Sequence, residues 1–135
     1  MNDDLKFTDL AKFFSKQQEA LNAAKRFKFT LFGGSVGSGK SYWLRWSAIW
    51  FLMDYFQRYG LEGIRAGIFC EDYPSLNDRH LTKVKYEFPS WLGKFNEAKH
   101  EFTLAKKWGS GIIAFRNLDD PAKYLSVEFA LEAID

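Results

Sequence analysis

Eight residues, Gly34-Ser35-Val36-Gly37-Ser38-Gly39-Lys40-Ser41, follow a run with strand character and precede a run with helix character. They satisfy the pattern G-x-x-x-x-G-K-[ST], which commits the chain to a fold in which a tight glycine loop joins a strand to a helix. Gly34, Gly37 and Gly39 can take φ values closed to other residues and would let the backbone come close to a ligand with no Cβ in the way. The loop opens onto the first turn of a helix, where unpaired N–H groups and the positive end of the helix dipole favour an anion. Converging amides of this kind suit a triphosphate. Lys40, the candidate catalytic residue, then reaches the β- and γ-phosphates, and the Ser41 hydroxyl ligates Mg²⁺. A glycine-rich surface turn followed by an incidental lysine is the plain alternative.

The flanks support the loop. Phe27, Phe29 and Leu31 alternate with Lys28, Thr30 and Phe32 and end at Gly33-Gly34, the pattern of a first strand. From Ser41 to about Gln57 the sequence predicts a helix, with Trp43, Trp46 and Trp50 at i, i+3 and i+7 and Gly60 in the following turn. Upstream, Leu10, Phe13, Phe14, Ala20 and Leu21 recur at roughly helical spacing, which predicts one or two short helices between Leu5 and Ala24. Downstream, a second strand is expected over Ile64–Cys70, broken by Glu71-Asp72-Tyr73-Pro74-Ser75, and a helix from Ser75 or Asn77 to Tyr86, stopped by Pro89. Phe102–Ala105 and Ile112–Arg116 read as two strands joined by the glycine turn Trp108-Gly109-Ser110-Gly111. The last apolar segment runs from Val127 to Ile134. Alternating strands and helices predict an α/β sandwich with a mostly parallel central sheet.

With 135 residues and 47% of them hydrophobic, the chain is expected to form one domain with a real core. The net charge of +2 does not announce nucleic-acid binding, and the densest basic region, Lys94, Lys99, His100, Lys106 and Lys107, reads first as solvated surface. The 14 Phe, 6 Tyr and 5 Trp fit either an aromatic core or an apolar surface for a partner. Cys70 is the only cysteine, so no internal disulfide forms, and with His80 and His100 it offers no zinc spacing. A reducing, cytoplasmic setting is expected. The start Met1-Asn2-Asp3-Asp4 is acidic, unlike a signal peptide, and the apolar stretch Tyr42–Phe56 is short and carries Arg45 and Asp54, unlike a membrane span.

A phosphate loop needs a carboxylate that fixes Mg²⁺, usually an aspartate at the end of an apolar strand. Phe129-Ala130-Leu131-Glu132-Ala133-Ile134-Asp135 has that form, although an apolar run ending in Asp is common and Glu132 is out of place in a fully buried strand. The order of segments resembles the ATPase domain of the phage terminase large subunit, the motor that packages viral DNA. Phe14-Ser15-Lys16-Gln17-Gln18-Glu19-Ala20-Leu21 is similar to that family's upstream adenine-recognition segment, with Gln17 matching the glutamine that reads the base edge. Gly109-Ser110-Gly111-Ile112-Ile113-Ala114-Phe115 and Asp120-Pro121-Ala122-Lys123-Tyr124 are similar to the stretch before its acidic motif, whose aspartate Asp135 matches.

The resemblance implies a RecA/ASCE-like P-loop NTPase, a three-layer sandwich incomplete at the C-terminus. Residues 1–26 would form the upstream helical segment and 27–135 the nucleotide-binding core, with the nuclease domain absent. It implies ATP and Mg²⁺ as cofactors. Its implied partners are double-stranded DNA, the small terminase subunit, the portal and further copies of the chain, in the cytoplasm of an infected or lysogenic host. It also exposes two departures. Many members carry an arginine inside the loop, whereas Val36 and Gly37 stand here, so an arginine finger has to come from elsewhere. The sequence also stops before the position of the family's catalytic glutamate, so the expectation is nucleotide binding with very slow hydrolysis. Arg79 reads as a surface residue, or else as a coupling or substrate contact. Another P-loop ATPase of helicase type, a small-molecule kinase, and a non-catalytic remnant or interaction module are the alternatives. A kinase would more often show an arginine-rich lid, which is missing.

Overall fold

A computed structural model describes residues 7–28, 30, 39–119 and 128–135. Most of the expected first strand, the loop residues Gly34 to Ser38 and the segment Asp120–Tyr124 lie outside the described residues. The elements run α1 (Phe7–Leu10), α2 (Ser15–Arg26), α3 (Lys40–Tyr59), β1 (Arg65–Cys70), α4 (Tyr73–Leu76), a π-helical turn (Asn77–Leu81), α5 (Thr82–Glu87), β2 (Gly93–Asn96), β3 (Glu101–Leu104), a 3₁₀ turn (Lys106–Trp108), β4 (Ile112–Asn117) and β5 (Leu131–Ile134).

Helix α3 extends the sequence expectation by a turn and ends where Gly60, at φ 65°, takes the left-handed conformation and donates to Phe56 O and Tyr55 O. Its buried side chains go most of the way round: Trp43, Arg45, Trp46, Ser47, Ala48, Ile49, Leu52 and Met53. A helix so enclosed is a central element, which is why no narrow apolar stripe marks it in the sequence. Trp46 sits at its centre, edge-to-face with Phe88 at 5.0 Å. Lys25 of α2 lies over the Trp50 ring at 4.2 Å and ties the upstream helix to α3.

The five strands order as β2-β3-β4-β1-β5. β1 pairs in parallel with β4 and β5, whereas β2–β3 and β3–β4 are antiparallel. The sheet of this α/β domain is therefore mixed, and the expectation of a mostly parallel sheet is corrected on that half. Its cause is connection length. Strands β2, β3 and β4 follow one another through short turns, which permit antiparallel neighbours only, while a parallel neighbour needs a crossover of a dozen or more residues. β2 itself was not foreseen: Gly93-Lys94-Phe95-Asn96 is a four-residue edge strand with a single large apolar side chain.

Register sorts the two faces. Ala66, Ile68, Ile113, Phe115, Phe102 and Leu104 are buried in the same core as Trp46, Ile49 and Leu52 of α3 and Leu81 and Val84 beyond β1. The other face carries Arg65, Glu101 and Arg116, with Glu101 accepting from Arg65 Nη2 at 2.6 Å and Arg116 Nη2 at 2.5 Å. In β5, Leu131 and Ala133 pair with Ala66 and Ile68 of the core face, so Glu132 falls on the opposite, exposed face. That alternation resolves the oddity of a glutamate in mid-strand: among the described residues β5 is an edge strand.

Between β1 and β2 the helical segment begins at Tyr73, earlier than the sequence indicated, because Asp72 caps it by accepting from Ser75 N at 2.8 Å and Pro74 is tolerated in a first turn. In the π turn Thr82 N–H bonds to Asn77 O, five residues back. Such single-turn widenings concentrate at functional sites. None of the described helices is long and apolar enough to cross a membrane.

Candidate nucleotide-binding site

The carboxyl ends of parallel strands are where open α/β sheets bind ligands. Here that edge is formed by Cys70 of β1 and by Asp135, whose N–H continues the ladder by donating to Phe69 O at 2.8 Å. Opposite lies the start of α3. Gly39, at φ 80°, is the residue before it, and Lys40 and Ser41 open its first turn. Ser41 Oγ donates to Asp135 Oδ2 at 2.6 Å across a separation of 94 residues. The two candidate metal ligands, far apart in sequence, are thus in direct contact. Lys40 lines the same cleft of about 600 Å³ as Asp135 and the edge of β5.

Gln17 is also brought here. It is 1% exposed, its Oε1 accepts from Phe14 N at 2.7 Å and its Nε2 donates to Gly39 O at 3.0 Å. A Cβ on Gly39 would collide with that Nε2. The left-handed φ favours glycine at 39, and a Cβ there would also displace the Gln17 amide from its bond. Both polar ends of Gln17 are committed to the chain itself, one to the start of α2 and one to the end of the glycine loop. Reading a base edge would require exchanging those bonds.

Behind Asp135 stands a buried polar chain that the sequence did not announce. His80, in the π turn and fully buried, places Nε2 2.9 Å from Asp135 Oδ2 and Nδ1 3.0 Å from Arg45 Nη1. A guanidinium only donates, so Nδ1 is the acceptor and the ring proton sits on Nε2, donating to Asp135. Arg45, 3% exposed, grips Glu87 through Nε at 2.5 Å and Nη2 at 2.9 Å, and gives Nη1 to Arg79 O at 2.5 Å. Arg79 in turn donates to the main-chain oxygen of Asp135 at 3.1 Å, although its side chain is 40% exposed. It is neither a plain surface residue nor a demonstrated substrate contact.

Electrostatics follows the geometry. Burial works against the charged form of Asp135, yet hydrogen bonds from His80 and Ser41 and the positive charge of Arg79 outweigh it and hold the carboxyl down at about 2. Burial pushes the His80 imidazole below its usual range, with the Arg45 charge acting the same way against the Asp135 hydrogen bond, so the ring is neutral at pH 7. Burial, reinforced by the Asp135 charge, raises the Cys70 thiol to about 11.

Cys70, His80 and Asp135 hold ligand atoms within 4.8 Å of one another. Both His80 nitrogens are already bonded, to Arg45 and to Asp135, so the imidazole has no lone pair turned toward a metal. The Ser41 hydroxyl and an ionised carboxylate are hard oxygen donors, and that pair fits Mg²⁺.

The sequence did hold one signal for the buried chain. Arg45 is the only basic residue in the apolar stretch Tyr42–Phe56 and lies one turn after Ser41, on the same helix face. A buried arginine requires an acid and acceptors elsewhere. Nothing in the spacing of His80 pointed to it. Comparison with protein-family models, with curated proteins and with solved structures gives no match.

Proposed function

We propose that this chain binds a nucleoside triphosphate, ATP first, together with Mg²⁺, as the ATP-binding part of a DNA-packaging motor of the terminase large subunit kind. The observation that carries the nucleotide reading is the 2.6 Å bond between Ser41 and Asp135 at the carboxyl edge of β1 and β5. Those two residues come from separate motifs, the glycine loop specific and the acidic strand weak alone, and their junction supports reading both as parts of one site.

In this reading the amides around Gly34 to Gly39 cradle the phosphates, Lys40 neutralises their charge, and Ser41 and Asp135 hold the cation. Held by Ser41 and Asp135, Mg²⁺ would supply positive charge against the negative phosphates. Asp135 is suited to this because its carboxyl, held down at about 2, is ionised at neutral pH. Gln17 holds Gly39, the residue before α3, through its side-chain amide. The motor assignment, with double-stranded DNA, a small subunit, a portal and further copies of the chain as partners, rests on the order of the segments that resemble the terminase ATPase.

Calorimetric titration of the 135-residue chain with ATP tests the nucleotide reading. Affinity should rise when Mg²⁺ replaces EDTA, and Lys40→Ala should weaken binding by at least ~10-fold, as expected for a lost charge-assisted contact. Absence of any ATP binding by the wild-type chain would sink the proposal.

A further inference from the structure

We infer that His80 is a positioning residue for Asp135, held in its donating form by Arg45 and Glu87, and that it secures the carboxylate for a divalent cation. The inference rests on the nucleotide reading above. It adds a function for three residues that neither the glycine loop nor the acidic strand accounts for.

The bonds on Asp135 are unequal in what they can do. Ser41 and His80 both donate to Oδ2. A hydroxyl ligates through an oxygen lone pair and donates through its hydrogen, so Ser41 Oγ would have to turn its hydrogen to suit a cation and Asp135 together. The His80 bond comes from a ring with no exposure to solvent, both of whose nitrogens are already bonded. It does not depend on where the Ser41 hydroxyl points, so His80 keeps the carboxylate aimed whichever way that hydroxyl turns.

That role needs a proton on Nε2 and not on Nδ1. Imidazole in water exchanges freely between the two forms. Here Arg45 Nη1, which cannot accept, faces Nδ1 at 3.0 Å and makes the Nε2–H form the only one compatible with both contacts. Arg45 is itself fixed by the bidentate Glu87 and by Arg79 O. The π turn has a use in the same chain: it presents His80 Nε2 to β5 while Arg79 O, one residue earlier, faces Arg45. Hydrogen bonds of this outer kind typically change metal affinity by ~10–100-fold when removed.

The experiment measures ATP affinity of the full chain in EDTA and in Mg²⁺, and takes the ratio. In His80→Ala the affinity in EDTA should stay within about twofold of wild type, whereas the gain from Mg²⁺ should fall by ~10-fold or more. His80→Gln, whose side-chain amide also carries an N–H, should recover part of the gain. A gain unchanged in His80→Ala overturns the inference and leaves the nucleotide reading intact. Equal losses in EDTA and Mg²⁺ for both variants also overturn it, since they mark a residue that only supports the fold. No Mg²⁺-dependent gain in the wild type overturns the nucleotide reading and this inference with it. If His80→Ala does not fold, ring ¹⁵N shifts of the wild-type chain decide: the Nε2–H form at neutral pH is expected, and the Nδ1–H form overturns the assignment.

Discussion

At the scale of single residues, Gln17 separates two ways in which a glutamine can serve a nucleotide site. A base reader presents its amide to solvent until the base arrives. Gln17 instead spends both amide atoms on Phe14 N–H and Gly39 O and is buried directly under the glycine that precedes α3. Gln17→Ala should therefore weaken ATP and GTP by the same factor, with a loss of about 1–3 kcal/mol in stability from the unsatisfied Phe14 N–H. Gly39 O keeps a second donor in Trp43 N, so the loss is felt mainly at the α2 end. A change in the ATP-to-GTP ratio would return Gln17 to the base. The Arg45–Glu87 pair invites a second test. Glu87→Ala strands a buried guanidinium and should cost ~3–5 kcal/mol in denaturant unfolding, because an uncompensated buried charge is dearer than a missing pair. A loss below about 1 kcal/mol would mean that water reaches Arg45.

At the scale of elements, what the sequence made legible was whatever local chemistry decides. α3 was legible because its capping glycine, its length and its tryptophans all act within the segment, and β1 because an apolar β-branched run ends in a breaker. The starts of helices drifted by a few residues where a cap such as Asp72 made the decision. Strand direction was legible only in part: the glycine turn announced β3 and β4 as neighbours, but the pairing of β2 was not foreseen, since it depends on which neighbours a strand finds. β3 illustrates this: it lies between β2 and β4 and is tied across the sheet by Glu101, which takes Arg116 of β4 and Arg65 of β1 on one carboxylate. Burial would raise the Glu101 carboxyl, but the two arginines hold it below the usual glutamate range. A carboxyl depressed in the folded state adds stability that is present above the unfolded value, near 4.5, and is lost as pH falls through the lower folded value. Glu101→Gln should therefore flatten the acid limb of the stability curve below about pH 4.5, and lower stability at pH 7 by about 1–3 kcal/mol as two arginines lose their common partner. An acid limb identical to wild type would show that other carboxylates control it.

At the scale of the whole molecule, the candidate site is a closure between distant parts of the chain. Gln17, Gly39 to Ser41, His80 and Asp135 come from α2, α3, the π turn and the end of β5, and the Ser41–Asp135 bond alone spans 94 residues. Motif spacing exposed the loop, and the resemblance named Asp135 as its partner, but contact between them depends on β5 docking beside β1. No local pattern encodes that docking: Leu131 and Ala133 are only two core-facing side chains, and Ile134 is largely exposed. Among the described residues β5 joins the sheet through β1 alone, and the hydrogen bonds around Asp135 add to that attachment. A ligand that bridges α3 and β5 should then stabilise the whole domain, through binding to the folded chain alone. At 100 times its dissociation constant it adds about 2.7 kcal/mol, which for a chain of this length raises the thermal midpoint by on the order of 10 °C. MgATP should produce such a rise in the wild-type chain and ATP in EDTA a smaller one. Asp135→Asn should keep the smaller rise and lose the difference, because the amide cannot replace an ionised ligand oxygen. Differential scanning fluorimetry resolves these shifts, and an equal rise for MgATP in wild type and Asp135→Asn would remove Asp135 from the cation site.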